Sequence, residues 1–503
     1  MPLRLCRQAG FSFWYADFKE GKTVKKIFLA ATFILCAGVA VNAAEISKVI
    51  VRQQWPWSAD VKVEYVVKGI EKPVDISVAA FDGENELSLP RDAVSGDVYG
   101  IEQSGVGTIV IDPVKVFGSA AKVSLENFTV RLSVSLSKGD PNEVLYKIFD
   151  LDDGSCTDVT RRSLLNGEWG DIETDYKAID PNFSTSLDNV LVWTGVTNNP
   201  VYKTDKLVMR KISAKDVVWQ SGDPEDVKTT HAPKVGRHWI KLTYDYYIAV
   251  FETTQKQFEK VFGSMTSNGI QKGTLDGPDY PVNWVPRYYT MGYPRNEPHL
   301  FSYGSAITYP NEWVVFPTNS YVRDFGKATF LEKLWQKTGQ EFHLPTGAEW
   351  EFACRGGNDG VLYSGEEQTL VNVAKIAVFG EDSSARLQPC GTKAPNAFGV
   401  YDMLGNVLEH VNYSGEIHQG AKSGSGESEG DPAVDPLSDP NTTHETAYWA
   451  VGGSFSSANA NQYGQWPDMR PSCRSLSYNA HYQSSTFAGF RVVCPIVRQW
   501  TEH

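Results

Sequence analysis

The chain has 503 residues, too many for one hydrophobic core, so two or three domains are expected. With 41% hydrophobic and 12% aromatic residues it has the composition of a folded soluble protein. A net charge of -13 argues against a general binder of nucleic acid or anionic membrane, because phosphate affinity needs clustered Lys and Arg; a cation, a neutral glycan or a protein partner fits better.

Residues 1–44 read as a leader. Lys25 and Lys26 precede an apolar run from Ile27 to Val41, and Val41-Asn42-Ala43 has the small-residue spacing of a signal-peptidase site. Cleavage is expected after Ala43 or Ala44, giving a secreted or periplasmic protein. The run is shorter than the roughly 20 residues of a spanning helix, and nothing later is long and apolar enough to cross a membrane. Cys36 follows Leu35 rather than a small residue, which speaks against a lipoprotein anchor. Of seven cysteines, Cys6 and Cys36 leave with the leader. Cys156, Cys354, Cys390, Cys473 and Cys494 remain, an odd number that allows at most two internal bridges.

Residues 45–138 read as an all-β sandwich, immunoglobulin-like in size. "FTVRLSVSL" alternates Val130, Leu132, Val134 and Leu136 with polar residues, the period-2 pattern of a half-buried strand. "VKVEYVV", "DISVAAF" and "GTIVID" add similar strands between Gly, Pro and Asp turns. A polar connector over 139–204 carries isolated strand candidates and is expected to pack against the C-terminal part of the chain.

From about Asp205 onward, short strands, helices and long loops mix. "KATFLEKLWQKTG" places Phe330, Leu331, Leu334 and Trp335 on one helical stripe and stops at Gly339. In "TGAEWEFACR", Thr346 as N-cap and Glu349 three positions on form a capping box. The Gly-, Ser- and acid-rich stretch between Asn412 and Thr446 reads as a solvated surface excursion.

Several chemical motifs fail on inspection. "GSGESEG" lacks the strand and helix that frame a phosphate loop, "HETAY" lacks the second His of a zinc helix, and no CxxC pair occurs. The nine His are scattered, with no pair that would make a metal face.

Five ordered segments carry more: "YDYYIAVFETTQKQFEKVFG", "FHLPTGAEWEFACRGG", "NAFGVYDMLGNVLEHV", "AVGGSFSS" and "CRSLSYNAHYQSSTFAGFRVV". Over about 205–497 the chain resembles the formylglycine-generating enzyme family, the sulfatase-modifying factors. The resemblance implies a loop-rich α+β fold similar to the C-type lectin fold, stabilised by disulfides and calcium. Family enzymes oxidise a sulfatase cysteine to formylglycine with O2, using copper held by two cysteines near the "GGS" motif. Those positions are occupied here by Ser457 and Gln462, and hydroxyl and amide are poor ligands for soft Cu(I), which argues against copper.

The resemblance also implies a Cys354–Cys473 disulfide, with a stabilisation of about 3–5 kcal/mol on the chain-entropy account; Cys494 could pair with Cys156, with Cys390 or with neither. It further implies a calcium loop in "DMLGNVLEH", with the carbonyls of Leu404, Gly405 and Val407 and the carboxylate of Glu409 as oxygen ligands. Asn372 and Val373 would begin a second such site. Where the family has Trp-Glu-Trp, Leu408 and His410 flank Glu409. Ser454, Ser457, Gln462, His410 and Arg474 are the candidates for lining the substrate groove; for Ser454, Arg474 and Arg491 the choice is between lining it and holding strands by hydrogen bonds, with the second preferred. The resulting expectation is an exported glycan- or peptide-binding or accessory module without an oxidase centre. The rival is a divergent oxidase acting on sulfatase cysteines, or another metal-dependent oxidase of this fold.

Overall fold

Alternation of apolar and polar side chains builds the N-terminal strands. In the computed structural model, the described residues are 6–8, 11–13, 44–53, 59–90, 93–118, 127–176, 190–224, 236–263, 277–283, 285, 290, 293–294, 314–316, 319–322, 329–380, 386–411, 423–436, 447–457, 469–472, 474–478 and 487–496. They divide into two units: Met1–Glu143 with Thr160–Ile172, and Val144–Val159 with Glu173–His503. The apolar run from Ile27 to Val41, expected as part of a leader, lies outside the described residues, and among the described ones no helix is long and apolar enough to cross a membrane.

The first unit holds β1 (Glu45–Gln53), β2 (Val61–Lys68), β3 (Val74–Asp82), β4 (Asn85–Leu87), β5 (Val94–Gly96), β6 (Gly105–Ile111) and β7 (Phe128–Leu136). One antiparallel sheet runs β1-β2-β6-β5 and the other β4-β3-β7. Val63, Tyr65 and Val67 of β2, Ile109 and Ile111 of β6, Val74 and Ile76 of β3, and Val130 and Leu132 of β7 form one apolar cluster. Burying every second residue of each strand is what removes these side chains from water. The alternation read over "FTVRLSVSL" holds at Val130 and Leu132 and fades at Val134 and Leu136, where the strand runs out to solvent.

The second unit is organised on a five-stranded sheet. Its strands are β8 (Val144–Asp150), β9 (Cys156–Thr160), β10 (Lys206–Ile212), β11 (Tyr246–Ala249) and β16 (Val493–Pro495), in the order β9-β8-β10-β11-β16. The segment expected as a connector is therefore deeply engaged. β8 pairs with β10 through Ile148↔Val208, and Leu145, Tyr146, Ile148 and Phe149 are buried. Its apolar residues serve both faces of a sheet, so no period-2 signal marks it.

The longer helices among the described residues of this unit are α1 (Gln255–Phe262), α2 (Phe330–Thr338), α3 (Gly347–Arg355) and α4 (Leu370–Ile376). Helix α2 starts at the Thr329 cap and ends at Gly339, whose φ of 71° is left-handed. Phe330, Leu331 and Leu334 are buried, but Trp335 is 36% exposed: the apolar stripe is narrower than the sequence suggested. Helix α3 begins with the expected capping box, Thr346 receiving the Glu349 amide and Glu349 receiving the Thr346 amide.

A four-stranded sheet carries the candidate site. It is ordered β14-β13-β12-β15, from β12 (Leu408–His410), β13 (Ala447–Val451), β14 (Arg474–Tyr478) and β15 (Ala488–Gly489). Part of the stretch expected as a surface excursion also enters the fold: Ala433–Val434 pairs with His238–Lys241, and the Asp435 carboxylate accepts hydrogen bonds from the Thr243 amide and hydroxyl.

Candidate functional site

The "GGS" loop and the "DMLGNV" loop lie against each other because β13 pairs antiparallel with β12. Glu409 faces Val451 and His410 faces Ala450 in that register, and the Gly405 amide donates to the Gly452 carbonyl at 2.7 Å. Gly452, at φ 88°, is required by close approach: a Cβ there would lie 2.9 Å from the Met403 carbonyl oxygen and 3.0 Å from the Trp350 ring.

Beyond the glycines the chain closes into a small turn. The Ser454 amide donates to the Ser457 hydroxyl at 3.1 Å, the Ser457 amide to the Ser454 carbonyl at 2.9 Å, and the Ser456 amide to the Ser454 hydroxyl. The Phe455 amide ties this turn to the Asn406 carbonyl at 2.8 Å. Phe455 and Phe487 stand with ring centroids 5.5 Å apart, and Phe487 is 38% exposed, so the turn presents an aromatic surface beside its hydroxyls.

The other groove candidates fall differently. His410 is 1% exposed at the end of β12, inside the core rather than on an open surface. Arg474 pairs with Val451 at the edge of the site through its backbone, and its side chain, like Gln462 and Cys473, lies outside the described residues. Cys354, the expected partner of Cys473, is a free and fully buried thiol that donates to the Met403 carbonyl at 3.9 Å.

Glu409 is committed to protein partners. Its carboxylate receives Arg491 Nε at 2.8 and 2.7 Å and Nη2 at 2.6 Å, with the Trp350 indole N–H donating at 2.7 Å. A guanidinium in this position repels a cation, so Glu409 does not fit the calcium role expected for it; the carbonyls of Leu404, Gly405 and Val407 alone supply no charge to hold the ion. Burial disfavours the charged Arg491, but Glu409, together with the nearby Glu252 and Asp402, outweighs it and holds the guanidinium ionised. The remaining Arg491 N–H groups donate to the carbonyls of Ala249, Tyr401 and Asp402. Arg491 thereby ties strands and loops together.

Behind this pair lies a second buried network that the sequence does not reveal. Glu252 receives the Asn406 side-chain amide at 2.7 Å and the Val407 backbone amide at 3.0 Å. Burial, followed by the nearby Asp402 and Glu409 carboxylates, raises the Glu252 pKa well above the usual range. Asp402, at φ 53°, receives the Gly391 amide at 2.6 Å, and burial pushes its carboxyl up to about 6. Cys390 completes the network. No local spacing could have disclosed it, because Glu252 and Asn406 are 154 positions apart.

The sequence profile of the sulfatase-modifying factor enzyme 1-like domain matches residues 207–496. The chain belongs to the sulfatase-modifying factor family. Among its relatives, the chaperone protein LppX of Paenibacillus barcinonensis is 29% identical over 184 residues, 33% of this chain and 61% of the relative. The formylglycine-generating enzyme of Mus musculus is 33% identical over 85 residues, 15% of this chain and 23% of the enzyme. That of Thermomonospora curvata is 38% identical over 76 residues, 13% and 25% of the two chains. The chain thus spans less than two thirds of each of these relatives. Among solved structures, Treponema denticola variable protein 1 is similar at 20% identity and a TM-score of 0.36, and PvdO from Pseudomonas aeruginosa at 18% and 0.38. Each alignment covers 58% of this chain and 95% of the other.

Proposed function

We propose that this sulfatase-modifying factor family member is an exported accessory or binding module, for a glycan or a peptide, and not a cysteine oxidase. The observation that carries this reading is Ser457. It stands where the family resemblance puts a copper thiolate, and its hydroxyl is spent on closing a turn with the Ser454 amide. Soft Cu(I) gains little from a hydroxyl. Three of the four described free thiols, Cys354, Cys390 and Cys494, are buried, and the exposed Cys156 lies on β9 in a different sheet. The aromatic pair Phe455 and Phe487 beside the turn suits a sugar ring or an apolar peptide side chain. A relative named as a chaperone protein supports an accessory role.

In this reading the N-terminal unit is an immunoglobulin-like sandwich and the family domain has the C-type lectin-like form. The decisive experiment incubates the full chain with copper, O2 and a cysteine-containing sulfatase peptide and follows the peptide by mass. The expected result is an unchanged peptide; conversion to formylglycine overturns the proposal. Glycan and peptide arrays then test binding, which Phe487→Ala should weaken by about tenfold or more if the aromatic pair is the contact surface.

A further inference from the structure

Glu252 follows β11, Cys390 and Asp402 come from the loops between α4 and β12, and the fold brings the three together in its interior. One ligand atom from each lies within 4.8 Å of the other two, and all three side chains are buried. Cys390 has no part in the copper pair or the Cys354–Cys473 bridge implied by the family resemblance, it is a free thiol rather than the partner of Cys494, and neither Glu252 nor Cys390 belongs to the expected calcium set.

We propose that Glu252, Cys390 and Asp402 bind a borderline-soft divalent cation of the Zn2+ class through two carboxylate oxygens and one thiolate. The spacing fits. Cys390 Sγ lies 3.6 Å from Glu252 Oε2, and a sulfur and an oxygen bound to one tetrahedral zinc are about 3.5 Å apart. The metal takes the place of the thiol proton that now points at Glu252.

The carboxylates are held ready for it. Asn406 and the Val407 amide fix Glu252, and the Gly391 amide fixes Asp402 through Oδ2. Such hydrogen bonds from a surrounding shell orient ligands while leaving lone pairs for the ion. Asp402 Oδ1 is buried and has no hydrogen-bond partner, a costly condition for a carboxylate oxygen unless something else engages it.

Charge points the same way. The groups acting on this cluster are the acids Glu252, Asp402 and Glu409 and the cations Arg491 and Lys203, so the acids are in surplus. Lys203 is only 8% exposed, with its ammonium 5.4 Å from the Phe251 ring centroid. Adding a divalent ion and ionising Cys390 brings the fixed charges into balance. The thiolate donor also separates this site from calcium and magnesium sites, which are built from oxygen. Three protein donors leave one tetrahedral position for a solvent ligand.

The test uses the full chain, reduced, stripped with EDTA and dialysed. It is titrated with Co2+, whose thiolate complexes absorb in the near ultraviolet, and then with Zn2+ as competitor. The expected result is one Co2+ per chain with a thiolate charge-transfer band that Zn2+ abolishes. Cys390→Ser should remove the band and weaken binding by at least about tenfold, while Cys156→Ser should change neither. Asp402→Asn should weaken binding to a similar extent and keep the band, since Asn tolerates the left-handed backbone of this position. Far-ultraviolet circular dichroism checks each variant's fold. If Cys390→Ser does not fold, Asp402→Asn decides alone, and unchanged affinity there overturns the proposal. Absence of a band in the unaltered protein, its survival in Cys390→Ser, or its loss in Cys156→Ser overturns it as well.

Discussion

Arg491 and Glu409 meet in a two-pronged ion pair from which water is excluded, with side chains 0% and 1% exposed. The register of β12 against β15, with Glu409 opposite Gly489, brings the "GFR" arginine within reach of this acid. Removing one partner strands the other as an uncompensated buried charge. Glu409→Gln is therefore expected to destabilise the second unit by about 3–5 kcal/mol. Urea denaturation followed by tryptophan fluorescence measures this, and an unchanged midpoint would show that the pair is not the tie described.

Gly452 and Gly339 separate two costs of adding a methyl group. Both have positive φ, but a Cβ at Gly339 meets nothing within 4 Å, whereas at Gly452 it meets Met403 and Trp350. Gly339→Ala should cost about 1–2 kcal/mol from backbone strain alone. Gly452→Ala should cost more and also disturb the turn at Ser454. Thermal melting of the two variants side by side checks the order.

The described thiols should differ sharply in reactivity. Burial pushes Cys354 and Cys390 well above the ordinary thiol range and Cys494 up to about 12, whereas Cys156 is exposed. Iodoacetamide at mildly alkaline pH should label Cys156 in the native protein and reach Cys354, Cys390 and Cys494 only after urea. Peptide mass mapping reads the outcome site by site.

Tyr65 makes the first unit sensitive to alkali. Its hydroxyl donates to the Asp97 carbonyl at 2.7 Å, and burial pushes its pKa from 10.0 up to about 12. The folded state therefore keeps a proton that the unfolded chain releases. This contribution is fully present below pH 10 and is lost as pH rises towards 12. Tyr65→Phe should flatten that dependence while costing about 1 kcal/mol at neutral pH for the lost hydrogen bond. Denaturation of the unaltered and variant proteins from neutral to alkaline pH tests both parts.

Local structure was legible wherever near neighbours in the chain decide it. The Thr346–Glu349 capping box, the Gly339 helix stop and the core face at Val130 and Leu132 all depend on side chains two to four positions apart. The same logic reached too far at Trp335, because periodicity says which residues share a stripe but not how wide the facing surface is. It found β8 only as an isolated strand candidate within a polar connector, because a strand buried on both faces shows no alternation that would place it in a central sheet.

By itself, the sequence determined the family, the order of its motifs and the presence of Ser457 at the position where the resemblance implies a copper ligand. Only the tertiary structure decided which charges meet. It gave Glu409 to Arg491, 82 positions away, buried His410, and set Glu252 and Asp402 beside Cys390. The physical reason is that a carboxylate's role depends on the charge, dielectric and hydrogen-bond donors around it, and strand register supplies these from distant parts of the chain.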